Sequence, residues 1–372
     1  MKNSILCFLT VCLSIGFFAC KGSNLVIDKK EQIFWGKNNS PRIIGKMIIA
    51  DLLDRTDIMM TKSNDHRSVH YAEACAGFGA VRLAGLINDY PSIIKLSERY
   101  KKVIDDGVVN TANHVDANVY GILPLELYIQ TKEDIFLNQG LFLADAQWKH
   151  PLSNGLTNQT RYWVDDIWMI GSLQTQAFRA TGKDVYLDRA ALEIDSYIQK
   201  LQQPNGLFYH GLNAPFFWGR GNGWAAAGLA ELLCELPKSN SHYQSILKAY
   251  KNLMNALLHF QSEDGMWRQL IDKRKSWEET SSTAMFGYAM SIGVKRGILS
   301  KSEFVQAYQK AWLALVKHID KEGKVGDVCV GTGQGNDMNY YLTRHRAIGD
   351  LHGQAAVLWF AYSLLDDPYS SR

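Results

Sequence analysis

Residues Tyr186 to Gly206 read YLDRAALEIDSYIQKLQQPNG, and residues Tyr243 to Gly265 read YQSILKAYKNLMNALLHFQSEDG. Both open on Tyr, carry apolar residues at helical spacing, and end in Gln followed by a polar turn with Gly. Apolar residues three and four apart argue an amphipathic helix, and Gly just past its end is the usual left-handed stop. The same ending recurs at Asp106-Gly107, Asn154-Gly155 and Glu322-Gly323, so the five glycines are spaced 48, 51, 59 and 58 residues apart. That period is too long for a tetratricopeptide unit and fits two helices plus an irregular loop. Helical spacing also appears in Ala225 to Leu233, Met285 to Ile292 and Ala356 to Leu365, whereas strand signals are few and short, as at Gly265 to Ile271. Helix pairs of this length form an open solenoid or a closed double ring. A solenoid repeats more regularly than this, and the turns after the glycines are long and Trp-rich. The expected fold is therefore all-α, an (α/α)6 barrel over residues 41–368 with loops forming an active-site cleft at one end.

Composition narrows the class. The 372 residues suffice for one large globular domain or two. The net charge of +3 comes without a long basic run, so nucleic-acid binding has no support. Ten Trp and 17 Tyr are consistent with carbohydrate stacking. The N-terminus reads as an export signal: Lys2, an apolar run from Ile5 to Phe18, then Ala19-Cys20 in the form of a lipoprotein cleavage site. The expected layout is a signal peptide over 1–19 and a lipid-anchored or flexible tether over 20–40. Lipidation of Cys20 would attach the chain to a membrane, as a periplasmic or outer-membrane lipoprotein. Cys75, Cys234 and Cys329 remain, with neither zinc-ligand spacing nor a disulfide framework. No metal and no cofactor are expected.

Two stretches set charge among large aromatics: Tyr162-Trp163-Val164-Asp165-Asp166-Ile167-Trp168 and Phe217-Trp218-Gly219-Arg220-Gly221-Asn222-Gly223-Trp224. Unpaired buried charge and exposed Trp are both costly, so the mixture suits a pocket that stacks a sugar ring and does acid–base work on it. Asp165 and Asp166 open a helix whose stripe is Trp163, Ile167, Ile170, Leu173 and Ala177, and they complement its dipole. A helix N-terminus lowers a carboxylate pKa, whereas a general acid must hold its proton. A second carboxylate from another helix is therefore expected to keep Asp165 protonated. Asp116, in the stretch His114 to Gly121, is the candidate, and it also reads as a helix N-cap. Gly219, Gly221 and Gly223 are expected to precede a helix over Ala225–Leu236 and to turn backbone N–H groups toward an anion. Arg220 would add a bidentate carboxylate contact, and Trp218 and Trp224 would wall the ring. No Gly-Lys-Ser/Thr follows, so a phosphate loop is not supported. His210 lies just upstream on an irregular stretch. Trp163 flanks Asp165, and His352 heads the last helix in Asp350-Leu351-His352-Gly353; both join the expected substrate-binding set. Trp267-Arg268-Gln269, Glu279 to Thr283 and Tyr340-Tyr341 also fall at loop ends.

At these residues the chain resembles the unsaturated glucuronyl and galacturonyl hydrolases of glycoside hydrolase families 88 and 105, and is closer to the unsaturated rhamnogalacturonyl hydrolases of the latter. The resemblance runs from about residue 40 to 366. It is carried by Trp163-Val164-Asp165-Asp166, Trp218 to Trp224, Glu279 to Phe286 and Asp350 to Gly353. It implies an (α/α)6 barrel, no metal, and action on lyase-generated oligosaccharides whose terminal uronic acid has a C4=C5 double bond. By the resemblance, Asp165 matches the catalytic aspartate and Asp116 the second functional aspartate, while His210, Trp218, Arg220 and Trp224 look like substrate-contacting positions. The chain departs from the family at His70 to Phe78, which lacks the common aromatic opening, around Asp116, which lacks Asn-Pro-Gly, and in the short stretch from His210 to Trp218.

The leading expectation is thus an exported hydrolase that hydrates the enol ether of an unsaturated uronate-terminated oligosaccharide. Two alternatives use the same residues: an inverting (α/α)6 glycosidase with Asp165 and Asp116 as the acid–base pair, and a non-catalytic glycan-binding lipoprotein.

Overall fold

The computed structural model describes residues 35–366. The expected signal peptide, Cys20 and the first part of the expected tether lie outside the described residues. The end of that tether is not free. Trp35 is buried against Trp312, with ring centroids 6.4 Å apart, and Trp312 Nε1 donates to the Asn39 carbonyl at 2.7 Å.

Twelve long helices alternate along the described chain. They are α1 (Pro41–Asp54), α2 (Tyr71–Leu86), α3 (Tyr90–Asp105), α4 (Ile122–Thr131), α5 (Asp134–Gln147) and α6 (Gly171–Thr181), then α7 (Val185–Leu201), α8 (Gly219–Glu235), α9 (Tyr243–Phe260), α10 (Thr280–Lys295), α11 (Lys301–Leu315) and α12 (Leu351–Leu365). The odd-numbered helices bury one stripe. In α9 it is Tyr243, Ile246, Ala249, Tyr250, Leu253, Met254, Ala256 and Leu257, which is the helical spacing of the sequence. The even-numbered helices are covered all round: α10 is buried from Thr280 to Val294 and α12 from Leu351 to Ser363. They form an inner ring in which each packs on the next, and α12 packs on α2. The odd helices form the outer ring, so the chain is an (α/α)6 barrel.

The five repeat glycines all have positive φ, from 60° at Gly107 to 105° at Gly265. Two of them show why no other residue fits. A Cβ on Gly206 would lie 2.5 Å from the Asn252 carbonyl oxygen of α9, and one on Gly323 would lie 2.7 Å from that of Met47 in α1. Each turn is pressed against the next outer helix, and the turn at Gly323 returns to the first one. Gln354 of α12 seals the junction, donating to Asp51 at 2.8 Å and to the Gly323 carbonyl at 2.9 Å. That contact between the last and first helices is what separates a closed barrel from a solenoid.

Strands are minor. β1 (Met60–Lys62) pairs antiparallel with β2 (Arg67–Val69), Met60 opposite Val69, and β3 (Val328–Cys329) pairs with β4 (Arg346–Ala347). Both hairpins join an outer helix to the following inner one. The N-terminal ends of the six inner helices therefore share one end of the barrel with the long loops, and that end carries Tyr71, Asp116, Asp165, Arg220, Glu279 and His352.

Candidate active site

The loop before Asp165 is bent into place by its neighbours. Tyr162 has a left-handed φ of 54°, a strained conformation for an aromatic residue. The backbone N–H groups of Arg161 and Tyr162 both donate to Tyr197 Oη of α7 at 3.2 Å, and Tyr162 Oη pairs with Ser196 Oγ at 2.9 Å. Beyond the bend, Val164 N donates to the His210 carbonyl at 3.0 Å, which lays the two loops side by side. A short helix, Asp166–Met169, then precedes α6.

This arrangement gives the two aspartates opposite surroundings. Asp166 is fully engaged: Oδ1 accepts from Arg161 Nε and Nη2 at 3.1 and 3.0 Å, and Oδ2 accepts from Tyr197 Oη at 2.9 Å. Asp165 is buried without such anchors. Its Oδ2 lies 3.4 Å from His210 Nε2, and neither atom has a full hydrogen bond. Burial pushes the Asp165 carboxyl up, but His210 and then Arg161 outweigh it and hold it below the usual carboxylate range. Burial prevails at Asp166, with Asp116 and Asp165 adding to it against Arg161, and its pKa rises to about 6. The expectation that Asp116 keeps Asp165 protonated is therefore corrected. Arg161 Nη2 reaches Asp116 at 2.9 Å as well as Asp166, so a guanidinium joins these carboxylates, and the raised one is Asp166.

The second motif also differs from its expectation. Helix α8 starts at Gly219, so Gly219, Gly221 and Gly223 lie inside its first turns. They serve close packing instead of an anion loop: a Cβ at Gly221 would meet Val164 at 2.8 Å, and one at Gly223 would meet Met285 at 2.6 Å. Trp218 and Trp224 are not walls for a ring. Trp218 is buried under His210, with ring centroids 4.6 Å apart, and donates to Gln269 Oε1 at 3.2 Å. Trp224 is buried in the barrel axis with Trp168 and Trp359, 5.9 and 5.8 Å away. Trp224 is enclosed by the inner helices, and Trp218 by His210 and the loop residues Leu270 and Tyr341, so neither indole has an open face. Trp163 stays partly exposed, with the Arg161 guanidinium 4.6 Å above its ring.

Arg220 is wholly buried. Nη1 donates to the Cys329 carbonyl and Nη2 to that of Val330 at 2.8 Å, while Nε has no partner. Among the described residues no carboxylate lies within ion-pair distance of it. Glu279, the N-cap of α10, is taken up by Ser281, Ser282 and the Cys329 N–H. His210 Nδ1 pairs with Tyr341 Oη at 2.7 Å. His352 is buried, with Nδ1 2.6 Å from Asp350 Oδ1 and Nε2 2.8 Å from Tyr71 Oη. Both ring nitrogens are thus occupied, and His352 stands behind Tyr71 instead of contacting a ligand itself. Burial raises the Tyr71 phenol pKa, with Asp116, Asp165 and Asp350 adding to it against Arg220.

Arg161 and Tyr71 were not among the expected site residues. Arg161 had a signal, since it adjoins the aromatic–acidic stretch. Tyr71 had none beyond its place before a helix. Among the described residues one group offers metal-ligand atoms: His66, His114 and Asp116 lie within 4.8 Å of one another. The two rings stack at 4.2 Å with 3° between them, so their in-plane lone pairs run parallel and do not converge on one ion.

Relatives match this barrel. The chain is 29% identical over 222 residues to an unsaturated 3S-rhamnoglycuronyl hydrolase of Alteromonas sp. (strain LOR), covering 54% of this chain and 53% of that protein. It is 25% identical over 202 residues to the enzyme of the same name from Formosa agariphila, covering 49% and 54%. The chain thus spans about half the length of the curated relatives it matches. In fold it is similar to a possible member of the GH105 family from Salmonella enterica, with a TM-score of 0.79 at 19% identity over 88% of this chain and 94% of that one. The family model described as Glycosyl Hydrolase Family 88 matches residues 44–366, which hold all twelve inner and outer helices but for the first three residues of α1, and the chain belongs to that family.

Proposed function

We propose that this protein removes the terminal 4,5-unsaturated uronic acid from lyase-generated oligosaccharides by hydrating the C4=C5 enol ether. The observation that carries this reading is the buried Arg220, a cation with a free Nε and no carboxylate partner among the described residues, at the same barrel end as the unsatisfied Asp165. A uronate carboxylate is the group that would complete Arg220. Its negative charge, arriving in the cleft, raises the pKa of Asp165. Asp165 then takes up the proton that the free protein denies it, with His210 alongside as the nearest proton carrier.

Protonated Asp165 delivers its proton to C4, and the positive charge is shared between C5 and the ring oxygen. The Asp165 carboxylate next accepts a proton from water as the water oxygen bonds to C5. The resulting hemiketal opens to a ketone at C5, and the hemiacetal left at C1 releases the rest of the sugar. The two-carboxylate spacing rule of ordinary glycosidases does not apply to an addition of this kind. Asp116 and Trp163 line the site as substrate-binding groups, and Arg161 keeps Asp116 and Asp166 oriented. The relatives named unsaturated 3S-rhamnoglycuronyl hydrolases make a rhamnose-linked uronate the first substrate to test.

Incubation with lyase-generated oligosaccharides, followed by the ultraviolet absorbance of the conjugated double bond, tests the reading. Wild type should consume the absorbance and Asp165→Asn should not. Cleavage of saturated glycans with the absorbance intact would instead indicate a glycosidase, and binding without turnover a glycan-binding module. The leader and Cys20 support export as a periplasmic or outer-membrane lipoprotein; loss of fatty-acid labelling in Cys20→Ala is the expected result.

A further inference from the structure

We propose that Tyr71 is a further substrate-contacting residue, a hydrogen-bond acceptor for one ring hydroxyl of the unsaturated uronate, with Asp350 and His352 as the positioning residues that set it in that role. The proposal rests on the hydrolase reading above.

One chain of hydrogen bonds links three side chains. Asp350 caps α12: its Oδ1 accepts from the His352 N–H at 2.9 Å and lies 2.6 Å from His352 Nδ1. An ionised carboxylate only accepts, so His352 Nδ1 bears the ring hydrogen. Two facts support that protonation state. Asp350 is held well below the usual carboxylate range, where burial is outweighed by His352 and Arg220, and His352 is held down by burial first and Arg220 second. A neutral ring with hydrogen on Nδ1 has a lone pair on Nε2, and Nε2 is 2.8 Å from Tyr71 Oη. Tyr71 therefore donates to His352.

A phenol has one hydrogen, and here it is committed away from the cleft. Burial pushes the Tyr71 phenol well above its usual pKa, so the hydrogen stays on oxygen. What Tyr71 offers the site is its lone pairs, in the field of Arg220, Asp116 and Asp165. Lone pairs reject a carboxylate and accept a hydroxyl. The bound carboxylate is thereby sent to Arg220, and a hydroxyl to Tyr71. Beyond its linkage, an unsaturated uronate keeps hydroxyls only at C2 and C3, so the donor is one of these two. The ring is fixed from behind by His70, stacked at 4.4 Å, and by Trp224 edge-on at 6.3 Å.

The test compares the parent substrate with its 2-deoxy and 3-deoxy analogues in wild type and Tyr71→Phe. Wild type should lose roughly tenfold in kcat/KM, mostly through KM, on one deoxy analogue. Tyr71→Phe should lose a similar factor on the parent and show no further loss on that analogue. His352→Gln retains an acceptor for the phenol and should stay near wild type, whereas His352→Leu should behave like Tyr71→Phe. Nitrogen NMR of the free protein should find hydrogen on His352 Nδ1. Equal deoxy penalties in wild type and Tyr71→Phe, or hydrogen on Nε2, would overturn the role of Tyr71 alone. A wild type that leaves every unsaturated substrate untouched would instead overturn the hydrolase reading, and this assignment with it.

Discussion

The two ends of the barrel treat buried charge in opposite ways. At the C-terminal end of the inner helices, Glu231 lies between two guanidiniums, 2.7 Å from Arg82 Nη1 and paired with Arg179 on its other oxygen. Arg82 also rests on the Tyr362 ring at 4.3 Å, and Glu126 accepts from Gln130 and Gln176 at 2.8 and 2.7 Å. Burial pushes Glu231 up, but Arg179 and Arg82 prevail and bring its pKa down to about 2. At the N-terminal end, Arg220 Nε, Asp165 Oδ2 and His210 Nε2 are buried without partners, and Asp166 is pushed up to about 6. Unsatisfied buried groups are rare because each forfeits its hydration. One end pairs its buried charges within the chain. The other is complete only with a ligand in it.

The contrast can be broken at four points. Asp165→Asn should have the largest effect, lowering kcat by about 10³-fold or more, as expected for loss of a general acid. Its unfolding midpoint should fall only slightly, because Asp165 makes no full hydrogen bond and Arg161 keeps Asp116 and Asp166 as partners. Glu231→Gln should reverse that outcome. It leaves two buried guanidiniums short of an anion and should cost about 3–5 kcal/mol in denaturant unfolding, with the folded fraction still active. A Glu231→Gln protein as stable as wild type would show that this end is not held by the Glu231 network.

The pH dependence of stability should carry opposite signs at the two ends. Asp166 has a folded pKa above its unfolded value, so its contribution is present below about pH 4 and is lost as pH rises through about 6, up to roughly 3 kcal/mol. Glu231 is depressed, so its contribution is present above about pH 4.5 and is lost as pH falls toward 2. Unfolding curves from pH 3 to 7 should therefore flatten above pH 4 in Asp166→Asn and below pH 4.5 in Glu231→Gln. The smallest effect is expected for Arg220→Ala, which should raise KM by the equivalent of about 1.5–3 kcal/mol while leaving kcat largely intact. Unchanged kinetics would remove Arg220 from carboxylate binding.

Much of this was legible along the chain. The outer helices carry their stripes in sequence because only one face is covered, and the five turn glycines stand out because each adopts positive φ, those at Gly206, Gly265 and Gly323 against the backbone of a neighbouring helix. The inner helices were harder to bound. In α8 the run from Gly219 to Trp224 reads as a loop, because glycine is a poor helix former. Its glycines stand inside the helix because neighbours approach those three positions too closely for a Cβ. Asp165, Asp116, His210 and Arg220 were found by residue type and spacing, and the structure brings all four to one barrel end. Trp218 and Trp224 were assigned to the pocket because exposed and buried indoles look alike in a sequence.

The sequence by itself determined the helix-pair repeat, the family and the residues with chemistry to offer, because these follow from period, turn chemistry and motif; it favoured a closed ring, and the contact of α12 with α1 closes it. Only the tertiary structure decided which carboxylate stands free and which is tied down. Asp165 and Asp166 are adjacent and chemically identical, and they differ because Arg161 and Tyr197 reach one while the cleft and His210 face the other. Protonation, like the direction in which Tyr71 spends its single hydrogen, is set by partners that approach from distant parts of the chain.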